Sequence, residues 1–298
     1  MTTPQYNILF PVDFSDRSVL AARHVKTWVD RFGAVLNTLH IVDPEVLGYS
    51  AELSDEFLSK DLPLLMVKRT ADLKYFSDHY FGESDHYFGE NVARQTVLSG
   101  GTADQIESFA KRENVDLIML PRNHQNIASR VLRDSLTATI LERCTASVWT
   151  TEHVELAESL SISSILCAVH FEEDVTLESQ NSRILQNVKK LAAAFHAKVT
   201  CLRVIGKHEK TSTKFSADLD TVSGVEPWLA QAREQLESST EFIQKSGDVV
   251  TAISDTANEV DANLIVVGRS RPGTISLGVQ IHVLKIDHAV RRPVLSIG

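Results

Sequence analysis

The sequence predicts an α/β protein made of two tandem, doubly wound domains, each a five-stranded parallel sheet with helices on both faces. Three observations carry that expectation. The runs ILFPV (8–12), DLIML (116–120), SILCAV (164–169) and NLIVV (263–267) are continuously apolar, as strands buried on both faces must be. Stretches with a 3.6-residue apolar period separate them, which is the alternation of βαβ units. Finally, the whole pattern occurs twice.

In the first half the elements read in order as a strand at 7–12, a helix at 16–31, a strand at 34–42 and a helix over about 53–80. A strand at 93–99, a helix at 102–113, a strand at 115–120, a helix over about 127–143 and a strand at 146–151 complete it. The second half repeats the phrases. ILFPVDFS (8–15) returns as ILCAVHFE (165–172), and RFGAVLNTLHIVD (31–43) as AFHAKVTCLRVIG (194–206). Gly100, Ile106, Ala110, Asp116, Leu117, Ile118 and Pro121 recur at identical offsets as Gly247, Ile253, Ala257, Asn263, Leu264, Ile265 and Gly268. SVWTT (147–151) parallels PVLSI (293–297). The stretch TEHVELAESLSIS is polar and lacks apolar periodicity, so the domains are read as 1–152 and 161–298.

Composition removes several classes of function. The net charge of −9 opposes binding to a phosphate backbone, which requires clustered cations, so nucleic acid is not an expected partner. No apolar run is long enough to cross a bilayer, and MTTPQYNILFPVDFS lacks the basic region and cleavage site of a secretory signal. Cys144, Cys167 and Cys201 are odd in number and widely spaced, which argues against a disulfide framework or a zinc site and fits a cytoplasmic location. No metal site and no signature of hydrolytic or nucleophilic catalysis is present. Trp149, in the last strand of the first half, is expected to pack.

In a doubly wound sheet ligands bind beyond the carboxyl ends of the strands, where the strand order reverses. That rule selects Asp13, His170 and the loops after Leu120 and Val267. VVGRSRPGTISLG (266–278) has the form of a strand running into a glycine loop that could offer N–H groups to a phosphate.

FPVDFS, FGAVLNTLHIVD, SGGTADQIESFAKRENVDLIML and NEVDANLIVVGRSRPG, in this order, resemble the universal stress protein family in its tandem form. The resemblance implies a five-stranded parallel α/β fold and pairing through the last strands, here SVWTT with PVLSI. It also implies a stress-response regulatory or interaction role without catalysis, in a chain that could form homo-oligomers with protein partners it does not name. Some members of the family bind ATP or AMP. These carry an acidic residue after the first strand and, after the fourth, a loop of two glycines separated by two residues, then nine residues, a glycine and a small hydroxyl residue.

The first half keeps Asp13 and Ser135 from that pattern. Pro121, His124 and Asp134 replace the three glycines, and proline removes an N–H donor outright. This half is therefore not expected to bind ATP in the family manner. The second half keeps Gly268, with Arg271 at the second glycine position and Gly273 two residues later; His170 replaces the acidic residue. The later glycine and hydroxyl positions fall on Ile281 and His282, or on Gln280 and Ile281, and Gly278 fits a shortened loop. Arg269 and Arg271 flank Ser270, a cationic loop suited to an anion. Two alternatives follow: an ATP- or AMP-binding protein with a modified site in the second half only, and a slow nucleotide hydrolase.

Two further stretches are set apart. SGGTAD (99–104) is read as a tight turn with Thr102 capping the next helix. SDHYFGESDHYFGE (77–90) is a seven-residue tandem duplication, close to two helical turns, that lengthens an arm without rotating the chain downstream of it. From Val42 to Gly100 the chain spans 58 residues, against 42 from Ile205 to Gly247. The extension, which includes DLPLLMVKRTADLKYF (61–76), is read as a dimerisation or partner surface.

Overall fold

The computed structural model describes residues 6–44, 57–82, 93–121, 136–151, 162–169, 175–205, 232–236, 239–269, 277–290 and 292–298. It is a tandem α/β protein, and the principal break between its two compact units falls between Leu160 and Ser161.

The first unit contains β1 (Asn7–Pro11), β2 (Val35–Val42), β3 (Arg94–Ser99), β4 (Leu117–Pro121) and β5 (Ser147–Thr151). Their order is β3-β2-β1-β4-β5, and each neighbouring pair is parallel. The chain walks outward from β1 to β3, then crosses back to β4 and continues to β5. Because parallel crossovers are right-handed, the reversal puts the helices of the two walks on opposite faces. Accordingly α1 (Asp16–Phe32) touches α2 (Leu62–Phe81), and α3 (Thr102–Arg112) touches α4 (Leu136–Arg143).

Local chemistry explains where these helices start and stop. Ser15 caps α1 by accepting the N–H of Ser18, and Gly33, at a left-handed φ of 56°, ends it. Ser18, Ala21, Ala22, Val25 and Trp28 form the buried stripe at helical spacing. Within the helix expected over 53–80, residues 57–61 form a π-helical turn before α2, and residues 53–56 lie outside the described residues. Of the helix expected over 127–143, only α4 is described. The strand expected at 115–120 begins at Leu117 and ends at Pro121.

Thr102 does not have the role expected of it. Gly101 is the cap of α3 and has no side chain to offer. Thr102 instead donates both its N–H and its hydroxyl to Asp43 Oδ2, at 2.9 and 2.8 Å. Thr102 is the first residue of α3, so its own N–H is one of those that need an acceptor, and the end of β2 supplies it.

The second unit contains β6 (Ser164–Val169), β7 (Lys198–Ile205), β8 (Glu241–Ser246), β9 (Leu264–Gly268) and β10 (Val294–Ile297). It repeats the order as β8-β7-β6-β9-β10 with parallel pairs throughout. Its described helices are α5 (Val175–Phe195) and α6 (Val249–Glu259), together with α7 (Leu277–Val290) from His282 onward. The matched residues play matched parts. Gly100 (φ 129°) and Gly247 (φ 136°) both adopt a backbone that favours glycine, and their N–H groups bond the carbonyls of Val42 and Ile205. The side chain of Asp116 accepts the N–H of Asn7 at the entry to β1; that of Asn263 accepts those of Ser163 and Ser164 at the entry to β6.

The inner strands of both units are largely buried, from Ile8, Leu9 and Phe10 to Leu264, Ile265 and Val266, whereas β3 and β8 are partly exposed. Trp149 packs as expected, fully buried on β5. None of the three cysteines is in a disulfide, and all three are buried.

Candidate functional site

In the first unit the strand order reverses between β1 and β4, and a cavity of about 320 Å³ opens at the carboxyl ends of β1, β2 and β4. Its floor is apolar, with Val12, Leu39, Ile41 and Leu120 among the contributors. Asp13, His40, Asp43, Arg69 and Thr102 bring the polar chemistry, and Leu65 joins Arg69 from α2. Pro121 closes β4 at the same rim.

Asp13 lies two residues past the end of β1 and three ahead of α1, and the start of that helix binds it. Ser15 N–H (3.0 Å), Ser15 Oγ–H (2.6 Å) and Ser18 Oγ–H (2.6 Å) all donate to Asp13 Oδ1. In return the N–H of Asp13 donates to Ser18 Oγ at 3.2 Å. Partial burial alone would raise the carboxyl pKa. The hydrogen bonds from Ser15 and Ser18 outweigh it and hold Asp13 below its ordinary value, hence ionised.

His40 lies on β2 behind this group. Its Nδ1 is 2.7 Å from the carbonyl of Val12; because a carbonyl can only accept, the proton is on Nδ1 and Nε2 is left as an acceptor. Burial pushes its pKa down despite that bond, with Arg69 pushing the same way, so the ring is neutral. Phe14 bridges the two sides of the site. It holds a left-handed φ of 61°, a conformation a bulky residue rarely adopts, and its ring lies 4.5 Å from that of His40. The Arg69 guanidinium lies 5.7 Å from the centre of the Phe14 ring and pairs with Asp72 at 3.0 Å.

Asp13 and Pro121 both line the cavity at the strand ends. His40, Asp43 and Arg69 were not singled out from the sequence. HIVD, with its acid at the end of β2, parallels PVDFS at the end of β1 and could have marked Asp43. Nothing in the sequence marks Arg69, which reaches the site from the extension between β2 and β3.

In the second unit Gly268 ends β9. A Cβ there would lie 2.7 Å from Ile184 Cδ1 and 3.1 Å from Gln180 Nε2, so the absent side chain makes room for α5. The side chain of Gln180 also donates to the carbonyl of Arg269, whose own N–H bonds the carbonyl of Ile297 at 2.8 Å. Arg269, expected on a cationic loop surface, is 0% exposed. His170, Ser270, Arg271, Gly273 and Ser135 lie outside the described residues.

Among the described residues no cluster of His, Cys, Asp and Glu could hold a metal ion, and no helix is long and apolar enough to cross a membrane.

The model of the universal stress protein family matches residues 6–152 and again 174–278. No curated protein matches the chain. Among solved structures, a universal stress protein from Archaeoglobus fulgidus is 16% identical, with 97% of this chain and 95% of that one covered and a TM-score of 0.66. A protein of unknown function from Pseudomonas aeruginosa is 14% identical over 99% of this chain and 92% of its own, at a TM-score of 0.62. The cytoplasmic domain of a prokaryotic cation chloride cotransporter is 10% identical over 98% of this chain and 95% of its own, at 0.52. At these identities the likeness to solved structures shows the fold alone. The two family matches reproduce the repeat read from the sequence and together take in most of its length. The chain belongs to the universal stress protein family, in tandem two-domain form.

Proposed function

We propose that the protein is a cytoplasmic stress-response protein that works through protein contacts, without catalysis and without binding ATP in its first domain. The observation that carries this reading is Pro121 at the rim of the switch-point cavity. A proline has no N–H to give a phosphate, and it stands where the nucleotide-binding pattern begins with glycine. The ionised Asp13 supports the reading, since its Oδ1 already receives three hydrogen bonds from the start of α1. Neither the charge of −9 nor the described side chains favour nucleic acid or a resident metal as partner.

The alternative places a modified ATP or AMP site in the second domain, on Ser270, Arg271 and Gly273, with His170 in place of the acid. Gly268 is a weak argument for it, because its packing against Gln180 and Ile184 accounts for the glycine without a ligand.

Extraction of nucleotide from the purified protein, followed by calorimetric titration with Mg-ATP, separates the two. The expected outcome is no co-purifying nucleotide and no heat. Binding that Arg271→Ala abolishes and Ser135→Ala leaves intact would assign a site to the second domain and overturn the proposal there. Substitution of Gly268 is a poor probe, since any side chain would press on α5. Release of phosphate above a protein-free control would overturn the non-catalytic reading.

A further inference from the structure

Helix α2 is apolar on two opposite sides. Leu73 and Phe76 are buried on the inner side. Leu64 and Val67 are each 70% exposed on the other, and Tyr75 is 75% exposed. With 3.6 residues per turn, Leu64, Ala71 and Tyr75 fall within about 40° of one another, and Val67 flanks them. Leu58, in the π-helical turn before α2, is 44% exposed. Among the described residues only Leu136, at 38%, is a further exposed large apolar side chain. A contiguous exposed apolar stripe, on a helix whose other side is already buried, marks an interaction surface.

The charges around the stripe indicate what covers it. They are arranged symmetrically about the midpoint between Arg69 and Thr70. Lys60 is matched by Asp78, Asp61 by His79, Lys68 by Asp72, and on the stripe itself Leu64 by Tyr75. Each pair is centred on that midpoint to within about half a residue. In an antiparallel pair of helices, the same flank of each helix meets itself. Lys68 and Asp72 share one flank, Lys60 and Asp78 the other, so opposite charges would meet on both. Lys60, Asp61, Lys68 and His79 are exposed. Asp72 and Asp78 already pair within the helix, with Arg69 at 3.0 Å and Lys74 at 2.8 Å, and an incoming lysine would extend those pairs.

We propose that α2 is a self-association surface that pairs antiparallel with α2 of a second copy of this chain. Leu64 packs on the partner's Tyr75, the small Ala71 near the axis permits close approach, and two sets of opposite charges frame the contact. A membrane surface is the less favoured occupant. The chain carries −9, and Asp61, Asp72 and Asp78 border the stripe, so anionic lipid would be repelled. The apolar patch is on the order of 400 Å², about half of what one partner of a stable complex buries. The contact is therefore weak and reversible. This inference is independent of whether either domain binds a nucleotide.

Sedimentation of the intact protein from about 1 μM to 1 mM tests it. The wild type is expected to show an association step with a dissociation constant on the order of 100 μM. Leu64→Glu/Tyr75→Glu, at two exposed sites, is expected to lose that step while keeping the wild-type circular dichroism and melting curve. Lys60→Glu is expected to weaken the step about tenfold, and Lys60→Glu/Asp78→Lys to restore it. A wild type without the step over the whole range overturns the proposal. So does a step of equal strength in the Leu64→Glu/Tyr75→Glu variant. Wild type that shows no step but pellets with phosphatidylserine vesicles also overturns it, and assigns the stripe to a lipid surface.

Discussion

His24 illustrates how one residue can set a pH dependence. It is 2% exposed on α1, edge-on to Trp149 with ring centres 5.4 Å apart, and neither ring nitrogen has a hydrogen-bond partner among the described residues. Burial lowers its pKa from 6.5 to about 4, so the folded protein holds it neutral. Between those values the unfolded chain binds a proton that the folded chain refuses. Stability is therefore lost as pH falls from about 6.5 to about 4, with a slope of about 1.4 kcal/mol per pH unit for one proton. Urea denaturation at pH 7.5 and pH 4.5 is expected to show a drop that His24→Phe reduces by about 2 kcal/mol. An unchanged drop in the variant would place the acid sensitivity elsewhere. The sequence reads Trp149 correctly as a packing residue but offers no sign that His24 is its neighbour, since 125 positions separate them. Cys167 and Cys201 are similar. They are opposite one another across β6 and β7, and the neighbouring thiol together with burial pushes the Cys167 pKa up, a juxtaposition that spacing alone cannot reveal.

At the scale of the element, the two domains satisfy the same requirement in different ways. The helix after the third strand needs an acceptor at its N-terminus. In the second domain Asp248 is its own cap, taking the N–H and hydroxyl of Thr251, each at 2.9 Å. In the first domain the cap is Gly101, and Asp43 reaches over from the end of β2. Asp43→Ala is expected to destabilise the protein by about 1 kcal/mol, measured by urea denaturation, with Asp43→Asn intermediate. A neutral result would mean that solvent serves the N-terminus of α3 equally well. The reading of Thr102 as a cap failed because SGGTAD looks like a local capping motif, whereas the acceptor is 59 positions away. The extension between β2 and β3 was more legible. Its apolar content and extra length are visible in the sequence, but which of its residues face inward depends on the packing of α2. That packing also delivers Arg69 to the cavity.

For the whole molecule, the repeat is the feature that organises the rest. Expressed separately, residues 1–152 and 161–298 are each expected to give the far-ultraviolet dichroism of an α/β domain with a cooperative melt. A half that stays unfolded alone would move the proposed boundaries or make that half dependent on its companion. By itself the sequence determined the tandem α/β architecture and the strand ends that border the reversal of strand order. Both are carried by local signals: continuous apolar runs where strands are buried on two faces, helical periodicity between them, and glycines at matched offsets whose backbone no other residue suits. Tertiary structure alone decided what the site residues do. It tied Asp13 to the start of α1, gave the N-terminus of α3 its acceptor in Asp43, brought Arg69 and His40 to the cavity, buried Arg269 and gave Gly268 to α5. The physical reason is that burial patterns repeat along the chain, whereas the charge state and availability of a side chain depend on neighbours that only folding brings near.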